Sequence, residues 1–243
     1  MRLFRDRHQA GLVLAPQLLK RGGHDPVLLA IPRGGVPLGL ALQEETGWPL
    51  YCFVVERIRA GDVHGAISEG NSVYLPGCTW PLKPEVASRV AASERLLARR
   101  VTRYRGNPGT LPSLRDRCAV LVDDGVVSGD TAIAAIRGVR ELGADSVIFV
   151  APIVAPRSVC PVSHEADQLL CQMAPPLFEA LPDWYEEFPD VTDSEIREAL
   201  GSPTGDSSLG TPIWSSEHAA SESSYIDPPP SVRVVTRELP HDG

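Results

Sequence analysis

Short apolar runs alternate along this chain with longer stretches whose apolar residues recur every three or four positions. Val27–Ile31, Leu50–Val55, Ala119–Val122, Ser146–Val150 and the run 168–171 are short and mostly apolar, as expected of strands buried on both faces. Between them, residues 9–21, Val36–Thr46, Pro84–Tyr104, Ala132–Leu142 and Arg157–His164 carry helical spacing. Pro16 must kink the first helix or delay its start, and Gly47 stops the second. The third is amphipathic and rich in Arg. Ser72–Leu75 reads as a short strand, and Asp193–Leu200 as a final helix opened by the capping pair Thr192 and Glu195. Residues 56–72 are polar, carry glycines and show little period. They predict a long loop, and loops of that length are usually functional or mobile.

Strands alternating with helices predict a three-layer α/β/α fold with a mostly parallel sheet of five or six strands. Ligands of such folds bind at the C-terminal strand ends, where the strand order reverses. After about Gly201 the pattern lapses. Residues 201–243 are rich in Ser, Pro and Gly and predict a disordered tail, with Trp214, Tyr225 and Val232–Val235 as candidate docking points. No internal repeat is apparent.

The 243 residues carry a net charge of −8, which argues against nucleic acid and anionic membranes as partners. It does not forbid a local basic pocket. No apolar run is long enough to span a membrane, and Arg2, Arg5, Asp6, Arg7 and His8 interrupt the N-terminus where a signal sequence would be apolar. The five cysteines are widely spaced, and Cys52, Cys118 and Cys171 fall in or beside strand-like runs. Free thiols in a reducing compartment, hence the cytoplasm, are expected.

Ala119–Thr131 carries the chemistry. An apolar strand ends in two adjacent carboxylates, Asp123 and Asp124. A small-residue loop, Gly125, Val126, Val127, Ser128, Gly129, Asp130 and Thr131, then leads into a helix. A helix N-terminus attracts phosphate through its unpaired N–H groups and its dipole. The carboxylates can accept hydrogen bonds from vicinal sugar hydroxyls, or hold Mg²⁺ through water. One strand tip therefore suits a ribose 5-phosphate. A second loop, Pro32-Arg33-Gly34-Gly35, follows the first strand. Its two glycines allow close approach of an anion, and Arg33 can add a bidentate contact.

The segment 119–131 resembles the phosphoribosyl-pyrophosphate (PRPP) motif of type I phosphoribosyltransferases, over its whole length. The wider resemblance, to an uncharacterised phosphoribosyltransferase-like group, covers residues 1–200 and excludes the tail. It implies transfer of ribose 5-phosphate from PRPP to a small-molecule acceptor, usually a nitrogenous base, with release of pyrophosphate and dependence on Mg²⁺. In that reading Asp123 and Asp124 serve the ribose hydroxyls and the hydrated metal. Gly125–Thr131 holds the 5-phosphate, with Asp130 pointing outward to cap the next helix. Arg33, Gly34 and Gly35 seat the pyrophosphate, and the loops after the first and fourth strands meet at the site. A homodimer is the common assembly among such enzymes.

Residues 56–72 occupy the place of the mobile catalytic hood in these enzymes. The resembled group tends to carry Arg-Lys-Leu-Gly, a longer glycine-rich loop and then Ala-x-x-Glu-Gly. Here Glu56-Arg57-Ile58-Arg59 leads by a shorter path to Ala66-Ile67-Ser68-Glu69-Gly70, with Arg57 where Lys is usual. Arg57, Arg59 and His64 are candidates to neutralise pyrophosphate, or else solvated loop charges. The hypoxanthine-guanine branch places an Asp at the position of Val127. An apolar residue cannot move a proton, so a 6-oxopurine acceptor is disfavoured. Trp184, Tyr185 and Phe188 lie in a segment similar to one near the group's C-terminus, where aromatics either cover a base or pack the last helix. Beside the transferase reading stand a regulator that binds PRPP or a nucleotide without turnover, and an unrelated α/β protein with a chance acid pair.

Overall fold

A computed structural model describes residues 2–106, 111–201 and 233–236. Nine strands and six α-helices are found among them. In chain order they are α1 (Arg7–Leu19), β1 (Val27–Ala30), α2 (Gly35–Thr46), β2 (Leu50–Cys52), β3 (Val55–Ala60), β4 (Val63–Ser68), β5 (Val73–Tyr74) and α3 (Pro84–Arg105). There follow β6 (Cys118–Val122), α4 (Asp130–Glu141), β7 (Ser146–Val150), α5 (Pro156–Glu165), β8 (Gln168–Cys171), α6 (Asp193–Ala199) and β9 (Arg233–Thr236). A 3-10 turn, Leu181–Trp184, precedes α6.

The main sheet has the order β2-β1-β6-β7-β8-β9, with every pair parallel except the antiparallel β8–β9. Alternate residues of the inner strands point to opposite layers. Val27, Leu29, Ala119, Leu121, Val147 and Phe149 pack with Ile133, Ile136 and Val139 of α4. Leu28, Val120, Val122, Ile148 and Val150 pack with Leu14 and Leu18 of α1 and Leu38 and Leu42 of α2. This is the expected three-layer α/β/α arrangement. The chain runs outward from β1 to β2 on one side and from β6 to β8 on the other, so the order reverses between β1 and β6. Loops after these two strands open into the crevice where such sheets bind ligands.

The first helix starts earlier than its spacing predicts, not later: Asp6 caps α1 by accepting from the Gln9 N–H at 2.7 Å, and the helix runs through Pro16. Two other local signals read as expected. Gly47 ends α2 in the left-handed conformation. Thr192 and Glu195 form the capping box of α6.

The segment 56–72 is not the irregular loop expected from its polarity. It forms most of a three-stranded antiparallel sheet, β3-β4-β5. Ala60 pairs with Val63, which leaves Gly61 and Asp62 as a two-residue turn, and Gly61 has φ +60° as the first central position of a tight hairpin turn requires. Two extra strands therefore precede the acid-pair strand, which is β6 rather than the fourth. One face of the hairpin, with Ile58 and Ile67, packs on Val90 and Leu97 of α3. The other, with Val55 and Ala66, joins the α4 layer.

Within the expected tail, Arg233–Thr236 form β9 along the free edge of β8, with Leu169 opposite Val235. Trp214, Tyr225 and Val232 lie outside the described residues. None of the five cysteines, all of them among the described residues, forms a disulfide, and Cys52, Cys118 and Cys171 are buried.

Candidate functional site

The two loops named from sequence meet at the tip of β6. The Ile31 N–H donates to the Val122 carbonyl at 2.8 Å, so the loop after β1 runs directly over the end of β6. A Cβ on Gly35 would lie 2.3 Å from the Val122 oxygen, and one on Gly34 1.9 Å from Asp124 Oδ2. Only glycine lets the loop lie against the acid pair this closely. Gly35→Ala is expected to lower stability by about 1–3 kcal/mol through overpacking. Urea unfolding would measure it, and an unchanged midpoint would show that the two loops are not locked together. The Pro32–Arg33 peptide within this loop is cis.

Beyond the acid pair, Val126 exchanges backbone hydrogen bonds with Ile153 and Ala155, which fixes the start of the loop. Gly129, at φ +87°, is the N-cap of α4 with no side-chain cap bond, so Asp130 is the first helical residue and not the cap. The Ser128 hydroxyl donates to Asp130 Oδ2 at 3.1 Å. Ser158 Oγ donates to the Val127 carbonyl at 2.8 Å, and Val127 is 38% exposed. The first turn of α4 thus presents its N–H groups beside the tip of β6.

The two carboxylates stand in different surroundings. Asp124 is buried, and its Oδ2 accepts from Arg7 Nε at 2.7 Å. Arg7 also donates to the Pro189 carbonyl at 2.7 Å and lies over the Phe188 ring, 3.6 Å from its centroid. Tyr185 donates its hydroxyl to the Asp124 carbonyl at 2.7 Å, and burial raises its phenol well above the usual range. Asp123 makes no ion pair among the described residues. Its Oδ1 accepts the Asp124 N–H at 2.9 Å. Enclosure at the strand tip, then the Asp124 charge beside it, raises the Asp123 carboxyl well above the carboxylate range, while Arg57 acts the other way.

Arg57, whose charge is felt at Asp123, stands on β3. Arg57 and Arg59 share the hairpin face that carries Val55, and His64 stands opposite Arg59 on β4. All three are exposed. The base of the hairpin is anchored. Ser68 Oγ donates to the Ala134 carbonyl of α4 at 2.6 Å. Glu69 accepts from the Val54 N–H at 2.6 Å and forms a buried ion pair with Arg105 of α3. Burial raises the Glu69 carboxyl in spite of Arg105. Arg33 lines a cavity with α6 residues that includes neither Asp123 nor Asp124.

Residues 9–186 match the family model of the phosphoribosyl transferase domain. The chain belongs to that family. It is 34% identical over 204 residues to the Mycobacterium tuberculosis protein named "Putative phosphoribosyl transferase Rv0571c", and equally to its counterpart MT0597 in a second strain. The match covers 81% of this chain and 46% of each relative, so the chain spans about half the length of the curated relatives it matches. Among solved structures, TT1426 from Thermus thermophilus superposes with a TM-score of 0.70 at 30% identity, over 82% of this chain and 98% of that one.

For this phosphoribosyl transferase domain, sequence reasoning located both loops but missed Arg7, which had figured only as a charge interrupting the N-terminus. A signal was present. Arg7, Ala10, Gly11, Leu14, Ala15 and Leu18 are the buried stripe of α1, so Arg7 opens an otherwise apolar face. A charge on such a face needs a buried partner. No group of three or more His, Cys, Asp or Glu side chains able to hold a metal occurs among the described residues. A site of one free carboxylate, Asp123, fits a metal held through water and ligand phosphates, not an all-protein cage. No described helix is long and apolar enough to cross a membrane.

Proposed function

We propose that this chain is a phosphoribosyltransferase that moves ribose 5-phosphate from PRPP to a nitrogenous base and releases pyrophosphate, with Mg²⁺ required. The observation that carries this reading is the convergence at the tip of β6 of the acid pair, whose Asp123 makes no ion pair among the described residues, the loop that opens α4, and a glycine loop whose Gly34 and Gly35 lie against Asp124 and the Val122 carbonyl. The N–H groups of Val127–Thr131 would hold the 5-phosphate. Asp123 would accept hydrogen bonds from the ribose hydroxyls and, through water, orient the metal. Mg²⁺, when bound, would neutralise charge on the leaving pyrophosphate. Arg57, and beyond it Arg59 and His64, would add positive charge from the hairpin face as the carbon–oxygen bond breaks. Little covalent work falls to the protein, whose task is positioning and electrostatic stabilisation. Val127 offers no proton acceptor, so an acceptor that needs one must find it elsewhere.

The pairing of Asp124 with Arg7 favours a second reading, a PRPP- or nucleotide-binding regulator without turnover, because one of the two motif carboxylates is already occupied. Calorimetric titration of PRPP with Mg²⁺ into the full chain tests the shared part. Micromolar binding that weakens at least tenfold in Asp123→Asn is expected; no binding by the wild type would sink both readings. Pyrophosphate release with any member of a panel of bases then separates the transferase from the regulator.

A further inference from the structure

The outer edge of β8 has no defence of its own. β8 reads Gln-Leu-Leu-Cys, so it carries neither the charge nor the proline that blunts an exposed sheet edge, and Leu169, Leu170 and Cys171 are buried. Across this edge lies β9, running antiparallel from Arg233 opposite Cys171 to Thr236 opposite Gln168. Among the described residues β9 is the only strand there and the only antiparallel member of the main sheet. Residues 202–232 separate it from the end of the matched domain. Within 201–243, rich in Ser, Pro and Gly, the run 232–236 stands apart, because four of its five residues are β-branched, the composition of a strand. Four residues nevertheless make few backbone hydrogen bonds, and these must offset the entropy of fixing the segment. Such a strand is held loosely.

We propose that the outer edge of β8 is a reversible docking site for one extended strand, and that its occupant is the chain's own segment 233–236, bound in cis. Recognition there is through main-chain hydrogen bonds along an extended segment, the mode in which peptides add to sheet edges. Short β-branched sequences such as Val234-Val235-Thr236 are the ligands it takes. Chain connection supplies the segment to the edge at a roughly millimolar effective concentration, whereas the same segment of a second copy must arrive at its bulk concentration. A docked β9 also keeps the edge from pairing with another chain. Nothing in this docking depends on the acid pair, so it can fail while the transferase reading holds, and the reverse.

Two measurements on the full chain test the proposal. In the first, Val234→Pro/Val235→Pro empties the edge, because proline cannot donate to the ladder and one of two adjacent residues faces β8. A synthetic peptide of residues 230–239 is then titrated into the variant and the wild type, up to millimolar concentration, and followed by backbone amide NMR shifts. It should bind the variant with shifts clustered at Gln168–Cys171, and bind the wild type at least tenfold more weakly, since the resident strand competes. In the second, Gln168→Cys/Thr236→Cys places thiols at directly opposed positions of the two strands. An equal mixture of nitrogen-15-labelled and unlabelled chains is oxidised, digested and read by mass spectrometry. Bridged 168–236 peptides should be wholly labelled or wholly unlabelled. Bridges joining labelled to unlabelled chains would make the occupant a second copy and overturn the assignment in cis. No 168–236 bridge, no peptide binding by the proline variant, shifts away from β8, or wild-type affinity as high as the variant's would overturn the docking site.

Discussion

Arg7→Met should destabilise the fold by about 3–5 kcal/mol, because it leaves Asp124 as an unpaired charge at a buried position. The side chains of the pair are 8% and 13% exposed, so solvent cannot take over from the guanidinium. For a domain of this size the loss corresponds to a fall in melting temperature of roughly 6–20 °C. Methionine retains much of the packing against Phe188, so the cost reports the charge rather than a cavity. Adding Asp124→Asn should recover part of it, with a coupling of about 1–3 kcal/mol in the double-mutant cycle. Calorimetric unfolding of the four proteins decides the matter. A single-variant cost under about 1 kcal/mol would mean that the pair does not hold the strand tip together.

The second large effect concerns the anchor of the hairpin. Glu69→Gln keeps an acceptor for the Val54 N–H but leaves Arg105 as a buried cation without its partner. With side chains 6% and 11% exposed, a cost of about 3–5 kcal/mol is expected here too. Glu69 also ties the end of β4 to Val54 and α3, so its loss frees the strand pair that carries Arg57. The variant should therefore bind PRPP more weakly than its stability alone explains, at a temperature where it remains folded. Arg105→Met combined with Glu69→Gln should recover stability without recovering affinity. Urea unfolding and PRPP titration, run side by side, measure the two effects. Full affinity in a destabilised Glu69→Gln variant would show that the hairpin needs no anchor to place Arg57.

The parts of the fold that were legible in sequence are those set by short-range rules. Ser146–Val150 and the strand 168–171 keep their expected bounds because buried parallel strands read as apolar runs. The caps at Gly47 and Thr192 follow from backbone sterics and local hydrogen bonds. The hairpin was missed because its faces pack against different layers. Arg57 and Arg59 then make the alternation look like a solvated loop, although Gly61-Asp62 was a usable turn signal. In the site, the acid pair and both glycine loops were legible because each depends on contiguous residues. The partition of the pair was not, since it is set by Arg7, 117 residues from Asp124 in the chain. The place of Arg33 was equally hidden, because it depends on where α6 packs.

The Arg7 bridge also bears on the order in which the protein is made. Arg7 joins Asp124 to the Pro189 carbonyl, contacts that span 117 and 182 residues. A growing chain emerges N-terminal end first and folds as its segments become available. It therefore carries the glycine loop, the acid pair and the loop 125–131 well before it carries Tyr185, Phe188 and Pro189. Until that last segment arrives, Arg7 and Asp124 face each other without the ring and the carbonyl that enclose them. A nascent chain thus displays the recognisable motif early, and completes the surroundings that set its charge only near the end of the domain's synthesis.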